Sequence, residues 1–250
     1  MQATGAVTKT NWRLNLQPQA VDTQQLAKIG KLDLAPNYRG KLGGNIQVAG
    51  LNKDLVIERI QAQGQLNLQL PAGQIIADRI KIDRGTWQAN LSSSALDSQL
   101  LNNGTTGASL IPETVNKSQL PPGIVSGSFQ VSGNSLTKIS PQTIAAQGRG
   151  SVKFKAGEIQ SQNLTLTNGD WQGIFTTKNL QLAAFNPQIG GRLSGKANLA
   201  GNLKSYTPES IRGTGSGTID LPQGQVVGTN LQIDRGKWQG NFQSSASSLA

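Results

Sequence analysis

The chain has 250 residues, with 23 Lys and Arg against 13 Asp and Glu, and it contains neither Cys nor His. That set excludes disulfides, thiolate and imidazole metal sites and every nucleophile pair built on His or Cys, and it leaves only scattered carboxylates as metal ligands. Charged residues make up 14% of the chain, well below the usual quarter, so neutral Gln, Asn, Ser and Thr must solvate the surface. Aromatics are scarce, which argues against a platform of stacked rings for nucleic acid. The net charge of +10 is spread over single residues such as Lys153, Lys155, Arg192 and Lys196. No signal peptide opens the chain and no apolar run is long enough to cross a membrane.

In chain order, residues 1–39 read as a partial repeat. Trp12-Arg-Leu-Asn-Leu16 alternates as a strand does, Ala20 follows, and Asp22 is placed to cap a short helix with Leu26 and Ile29 on one face. Residues 40–122 form a first full repeat. It opens on Gly40, Gly44 and Gly50, continues through a strand with Leu68 and Leu70, passes Gly73 and reaches Ile80-Lys-Ile-Asp-Arg-Gly85. Trp87-Gln-Ala-Asn-Leu91 and Ala95 come next, then an insert, Asn102 to Pro122, whose Asn-Gly and Pro-Pro pairs mark a surface loop. Residues 123–190 repeat the pattern: Gly123, Gly127 and Gly133, then Gly148 and Gly157, Leu164-Thr-Leu-Thr-Asn-Gly169, Trp171 and Asn179. Residues 191–250 do so again with Gly191, Gly195, Gly201, Gly215, Gly224, Leu231-Gln-Ile-Asp-Arg-Gly236, Trp238 and Ala246. Ser244 to Ala250 stop within a pattern complete elsewhere, so the chain is expected to be a piece of a longer protein, one continuous array with any anchor outside it.

Within each copy the alternation has period two, the mark of a sheet with one wet face. The expected fold is therefore all-β: a repetitive, elongated, curved sheet of about four strands per unit, with short linking helices. Asp83-Arg-Gly85, Asn168-Gly169 and Asp234-Arg-Gly236 are predicted hairpin turns. The face predicted to be apolar carries Ile46, Val48, Leu68, Leu70, Ile80, Ile82, Trp87, Leu91, Phe129, Val131, Val152, Phe154, Leu164, Leu166, Trp171, Phe175, Leu199, Ile219, Leu221, Leu231, Ile233, Trp238 and Phe242. Such a sheet either folds over and fills itself with side chains, as a sandwich does, or stays open as a groove for hydrocarbon.

No catalytic, metal or cofactor residue is expected. Gly148-Arg-Gly150 and Gly213-Thr-Gly-Ser-Gly217 recur in register with the repeat and are predicted to lie on strands, not in a phosphate-cradling loop before a helix. Asp83 and Asp234 hold equivalent turn positions and are expected to cap backbone N–H groups. Each Trp shares the parity of Leu14, Leu91, Phe175 or Phe242 and reads as a bulky plug at one height of every unit.

The segment after each Trp leads through a short helix to a Gly-x-Leu-x-Gly-x-Ala/Ile-x-Val/Leu-x-Gly strand, clearest from Leu180 through Gly195 to Gly201. This pattern resembles the TamB family, within the AsmA-like group of bridge-like lipid transfer proteins, and the resemblance covers essentially the whole chain. The Gln/Asn/Gly-rich, sparsely charged style is similar to that of cyanobacterial members. The resemblance implies a β-taco, a folded sheet with a hydrophobic interior groove, in a periplasmic protein anchored in the inner membrane. It further implies phospholipid as the cargo, an Omp85-type outer-membrane barrel as a partner, and a role in outer-membrane protein assembly. The competing reading is a secreted repetitive adhesin or autotransporter passenger with a filled core. Such solenoids repeat every 20 to 30 residues or so, and this unit is far longer. A carbohydrate-active enzyme would need a carboxylate pair on one face, and none stands out.

Overall fold

The structure is a computed structural model and describes residues 2–29, 39–53, 56, 59–98, 121–136, 139–204 and 208–246. Its strands form one antiparallel, 15-stranded sheet. They are β1 (Gln2–Val7), β2 (Asn11–Gln17), β3 (Val21–Asp22), β4 (Lys41–Leu51), β5 (Gln61–Leu70), β6 (Gly73–Asp83), β7 (Thr86–Asp97) and β8 (Gly123–Gly133). The rest are β9 (Ile144–Phe154), β10 (Gly157–Thr167), β11 (Asp170–Gln181), β12 (Arg192–Asn202), β13 (Arg212–Leu221), β14 (Gly224–Asp234) and β15 (Lys237–Ala246). Each strand pairs with its neighbours in sequence, the exception being short β3, which pairs with β4 beside β2. The sheet is open, with β1 and β15 at its edges.

The four-strand unit appears three times, as β4–β7, β8–β11 and β12–β15, while β1 to β3 correspond to the last two strands of a unit. Two kinds of turn set its register. Between the third and fourth strands, Arg84 and Gly85 have φ of 47° and 86°, Asn168 and Gly169 54° and 85°, and Arg235 and Gly236 49° and 76°. Positive φ at both central residues defines a type I′ turn, whose twist matches that of the flanking strands. The predicted hairpins therefore form, and Gly holds the second position because a Cβ is disfavoured there. Between the second and third strands, the chain turns through Pro71-Ala72, Lys155-Ala156 and Pro222-Gln223 into Gly73, Gly157 and Gly224.

The fourth strand bulges at the residue eight positions after Trp. Ala95 and Asn179 have φ of 53° and 52°, and the register with the next strand slips there, between Ser93 and Leu96 and between Thr177 and Leu180. The same residue in the first copy, Ala20 at 51°, falls between β2 and β3 and divides that strand in two. A second bulge sits in the third strand, at Arg79, Asn163 and Asn230, with φ of 47° to 52°. Each bulge adds one residue on one side of the ladder and bends the strand.

The links between units differ in length, the longest lying between β7 and β8. Helix α1 (Thr23–Ile29) forms where expected, and Asp22 Oδ1 accepts the N–H of Gln24 at 2.7 Å as its cap. Leu26 and Ala27 turn inward, Ala27 being buried, whereas the side chain of Ile29 lies outside what is described. After β11 a single 3-10 turn, Leu182–Ala184, brings Phe185 edge-on to Phe154, with ring centroids 5.3 Å apart. Most of the predicted insert, from Asn102 onward, lies outside the described residues; only Pro121 and Pro122 are seen, leading into β8.

Candidate functional site

Directly opposed residues of an antiparallel pair project to the same face, so the register can be followed across the whole sheet. In the first unit the row Ile46–Gly64–Ile80 is continuous, as is Val48–Ala62–Ile82–Trp87. From β7 the pairs Leu91–Phe129, Ala89–Val131 and Trp87–Gly133 carry the face into the second unit. There Val125–Val152–Ile159 and Ala146–Leu166–Trp171 extend it. Leu180–Leu193–Ile219–Val226 and Leu199–Gly213–Ile233–Trp238 extend it to the far edge. All of the residues expected on the apolar face fall on this one side.

The register also assigns to that side residues that the alternation alone missed: Leu42, Ile75, Ala77, Leu96, Val125, Ile159, Leu180, Leu193 and Val226. Ile75 and Ala77 were hidden by the bulge. The odd positions 75 and 77 share a face with the even positions 80 and 82 only because Arg79 in the left-handed conformation shifts the parity. The signal available was the two-residue hairpin at Pro71-Ala72, which sets Ile75 opposite Leu68.

The side chains of this face are shielded mainly by one another. In β5 they alternate regularly, Ala62 and Leu70 buried and Leu66 and Leu68 half-buried, with exposed Gln and Asn between them. The buried core is small: Leu70 at 3% exposure packs with Leu96, Leu68, Ile75 and Val125 near the strand ends. Among the described residues no large side chain is fully buried. A closed sandwich of this length would bury many, so among the described residues the face is apolar, continuous and without a second layer of strands. Exposure is high at both edges of the sheet: Val7 in β1 stands 75% open, and Trp238 and Phe242 in β15 stand 72% and 52% open.

Each internal Trp lies on a glycine of the following strand. A Cβ at Gly50, Gly133 or Gly201 would come within 2.7, 2.5 or 2.9 Å of the indole of Trp12, Trp87 or Trp171. Trp87 Nε1 also donates to the carbonyl of Ser135 at 3.0 Å, and Trp171 meets Phe175 edge-on, with centroids 6.1 Å apart. The plug seen in the sequence thus has a socket, one strand further on.

The opposite face is held by amides. Gln63 donates to Gln47 at 3.2 Å, Gln74 to Asn67 at 2.8 Å and Gln239 to Gln232 at 2.7 Å, which is how a sheet with so few charges stays polar on one side. Open depressions lie on this side, including one of about 780 Å³ lined by Asp78, Asn90, Gln147, Arg149 and Gln162. Asp83 does not cap the backbone as expected. Its carboxylate accepts Gln61 Nε2 at 3.0 Å and Arg84 Nε at 3.3 Å, because the hairpin brings Gln61 directly opposite. The hydrogen bond from Gln61, then that from Arg84, holds its pKa below the ordinary value. Asp234 likewise pairs with its neighbour, Arg235 Nε lying 3.5 Å away. Gly148, Gly150 and Gly213 to Gly217 lie within β9 and β13. Among the described residues no three carboxylates gather to hold a metal ion, and no helix is long and apolar enough to cross a membrane.

These features define a class: a repetitive, open-sheet all-β protein with one apolar face that no other strand covers among the described residues. No family model, curated protein or solved structure matches the chain.

Proposed function

We propose that this chain is a section of a TamB-like bridge that carries phospholipid acyl chains along its apolar face, without catalysis. The observation that supports this reading most is the continuity of that face across every unit, together with the lack of a filled interior behind it among the described residues. An acyl chain laid along such a surface gains roughly 0.8 kcal/mol per buried methylene, so about 16 carbons could recover on the order of 10 kcal/mol if fully covered. The polar face, with its amide ladders, would turn to water and leave the lipid in contact with Leu, Ile, Val, Phe and Trp only.

The surrounding roles rest on the resemblance of the repeat. They are a periplasmic location between inner and outer membranes, an inner-membrane anchor, an Omp85-type barrel as partner, and support of outer-membrane protein assembly. The experiment is to place a photo-crosslinking residue at Leu68, Phe154 or Ile233 and recover lipid from the purified protein by mass spectrometry. Crosslinked phospholipid at these positions, and none at Gln63 or Lys153 on the polar face, is expected. Ile233→Asp and Phe154→Lys should stop lipid transfer between donor and acceptor vesicles while the far-ultraviolet circular dichroism stays unchanged. A protein that yields no lipid and crosslinks none would sink the reading.

A further inference from the structure

Asp78, Asn90, Gln130 and Gln147 stand directly opposite one another across β6 to β9, in one row on the polar face at the middle of the sheet. Neighbouring strands lie about 4.8 Å apart, so the four polar ends make a continuous band. Arg149, two residues beyond Gln147, and Gln162 complete a depression of about 780 Å³. Elsewhere on this face amides pair with amides, Gln63 with Gln47, Gln74 with Asn67 and Gln239 with Gln232. In the depression, among the described residues, no hydrogen bond joins any two of the six side chains. Asp78 Oδ1 is also shielded from water and accepts no hydrogen bond. A shielded acceptor without a donor costs stability, and a partner from outside the chain would remove that cost.

We propose that this depression binds a neutral glycan whose sugars carry acetamido groups. The Asp78 carboxylate and the Arg149 guanidinium balance each other, so a charged ligand of either sign meets a like charge. A metal ion lacks its ligand set, since no three carboxylates gather among the described residues. The three Gln and the Asn each carry a donor and an acceptor on one group, as a ring hydroxyl does. An acetamido group brings the amide partner that Gln63 and Gln47 find in each other, and its N–H, or a hydroxyl, brings the donor that Asp78 lacks. Phe129 and Leu91 project to the other side of the sheet, so no ring stacks on the sugar and hydrogen bonds alone supply the affinity. The depression lies within the range of small-ligand sites, about 300–1,000 Å³. It is on the side away from the apolar face, and the inference does not depend on what that face carries.

The test titrates the whole chain, labelled with nitrogen-15, with chitotetraose and with cellotetraose. The two share one linkage and differ in carrying acetamido groups or hydroxyls. Chitotetraose should shift the side-chain amide resonances of Asn90, Gln130, Gln147 and Gln162 saturably, and cellotetraose should bind at least fivefold more weakly. Asp78→Ala and Gln147→Ala should each weaken chitotetraose at least fivefold, with the melting temperature of each variant measured to show that the sheet is intact. Gln239→Ala, in a self-paired ladder on the same face, should leave binding unchanged. The proposal is overturned if the two sugars bind equally, if no resonance shifts saturably, or if the shifts fall on amides outside the depression. It is also overturned if an acetylated and amidated Ser-Gly-Ser-Gly peptide binds there as tightly as chitotetraose, since a polypeptide would then be the occupant.

Discussion

Gly133 lies beneath the indole of Trp87, its missing Cβ only 2.5 Å from Nε1, and the same nitrogen is tied to the carbonyl of Ser135. The ring therefore spans β7, β8 and the loop after β8, and it can do so only because the residue under it has no side chain. Gly133→Ala should push the indole outward, break the bond to Ser135 and cost about 1–3 kcal/mol, the range for overpacking a filled site. Gly190→Ala, where an added Cβ meets nothing within 4 Å, should stay within roughly 0.5 kcal/mol of the parent. Urea unfolding followed by Trp fluorescence measures both.

Ala95 holds a left-handed conformation that costs an L-residue about 1–2 kcal/mol and that Asn tolerates better. Asn179 already occupies the equivalent bulge, where its N–H donates to Ser194 Oγ at 2.9 Å and its side-chain oxygen lies 3.4 Å from that hydroxyl. Ser126 stands ready to serve Ala95 in the same way. Ala95→Asn should therefore stabilise the protein by roughly 0.5–1 kcal/mol and raise its melting temperature. A lower melting temperature would show that the bulge is not under this strain.

The Asp83 carboxyl should titrate below the usual value of about 3.9, because Gln61 and then Arg84 donate to its charged form. A folded pKa below the unfolded one means that this contribution is present above the unfolded value. It is lost as pH falls through the lower, folded value. Gln61→Ala removes the larger cause and should move the midpoint upward in a carboxyl NMR titration; an unmoved midpoint would show that Gln61 has no hold on the group.

Leu70 is the most buried apolar side chain among the described residues and forms with Leu96 a cluster against which Leu68, Ile75 and, from the next unit, Val125 pack. Leu70→Ala should cost about 2–4 kcal/mol. The loss should show in hydrogen exchange of β5 to β8 and leave β12 to β15 unchanged, since stability in an array is a sum of nearest-neighbour terms.

The strand count, the I′ turns and the capped helix at Asp22 were legible in the sequence because each rests on local chemistry. Alternation, Asn-Gly or Arg-Gly, and an Asp before a helical stretch act over a few residues. The bulges were not legible. Ala95 and Arg79 are poor choices for a left-handed residue, and nothing in their side chains announces one; only the ladder around them imposes it. For the same reason Ile75 and Ile159 were absent from the expected face although their partners Leu68 and Val152 were present. The Trp frame was visible, but its glycine socket was not, because Gly133 sits far along the chain from Trp87 and belongs to the next unit. Asp83 was placed in its turn correctly, whereas its partner Gln61 required the cross-strand register.

The strict succession of strands also bears on how this chain can acquire its shape. Nearly every strand finds its partners immediately before and after it in sequence, so no segment must wait for a distant one, and apart from the long link between β7 and β8 little entropy is spent on closing loops. Such a chain can fold progressively from one end as it emerges from a ribosome or a translocation channel, each new hairpin laid on a finished edge. The same order limits damage: a strand that fails to add halts growth at that point and leaves the earlier units intact.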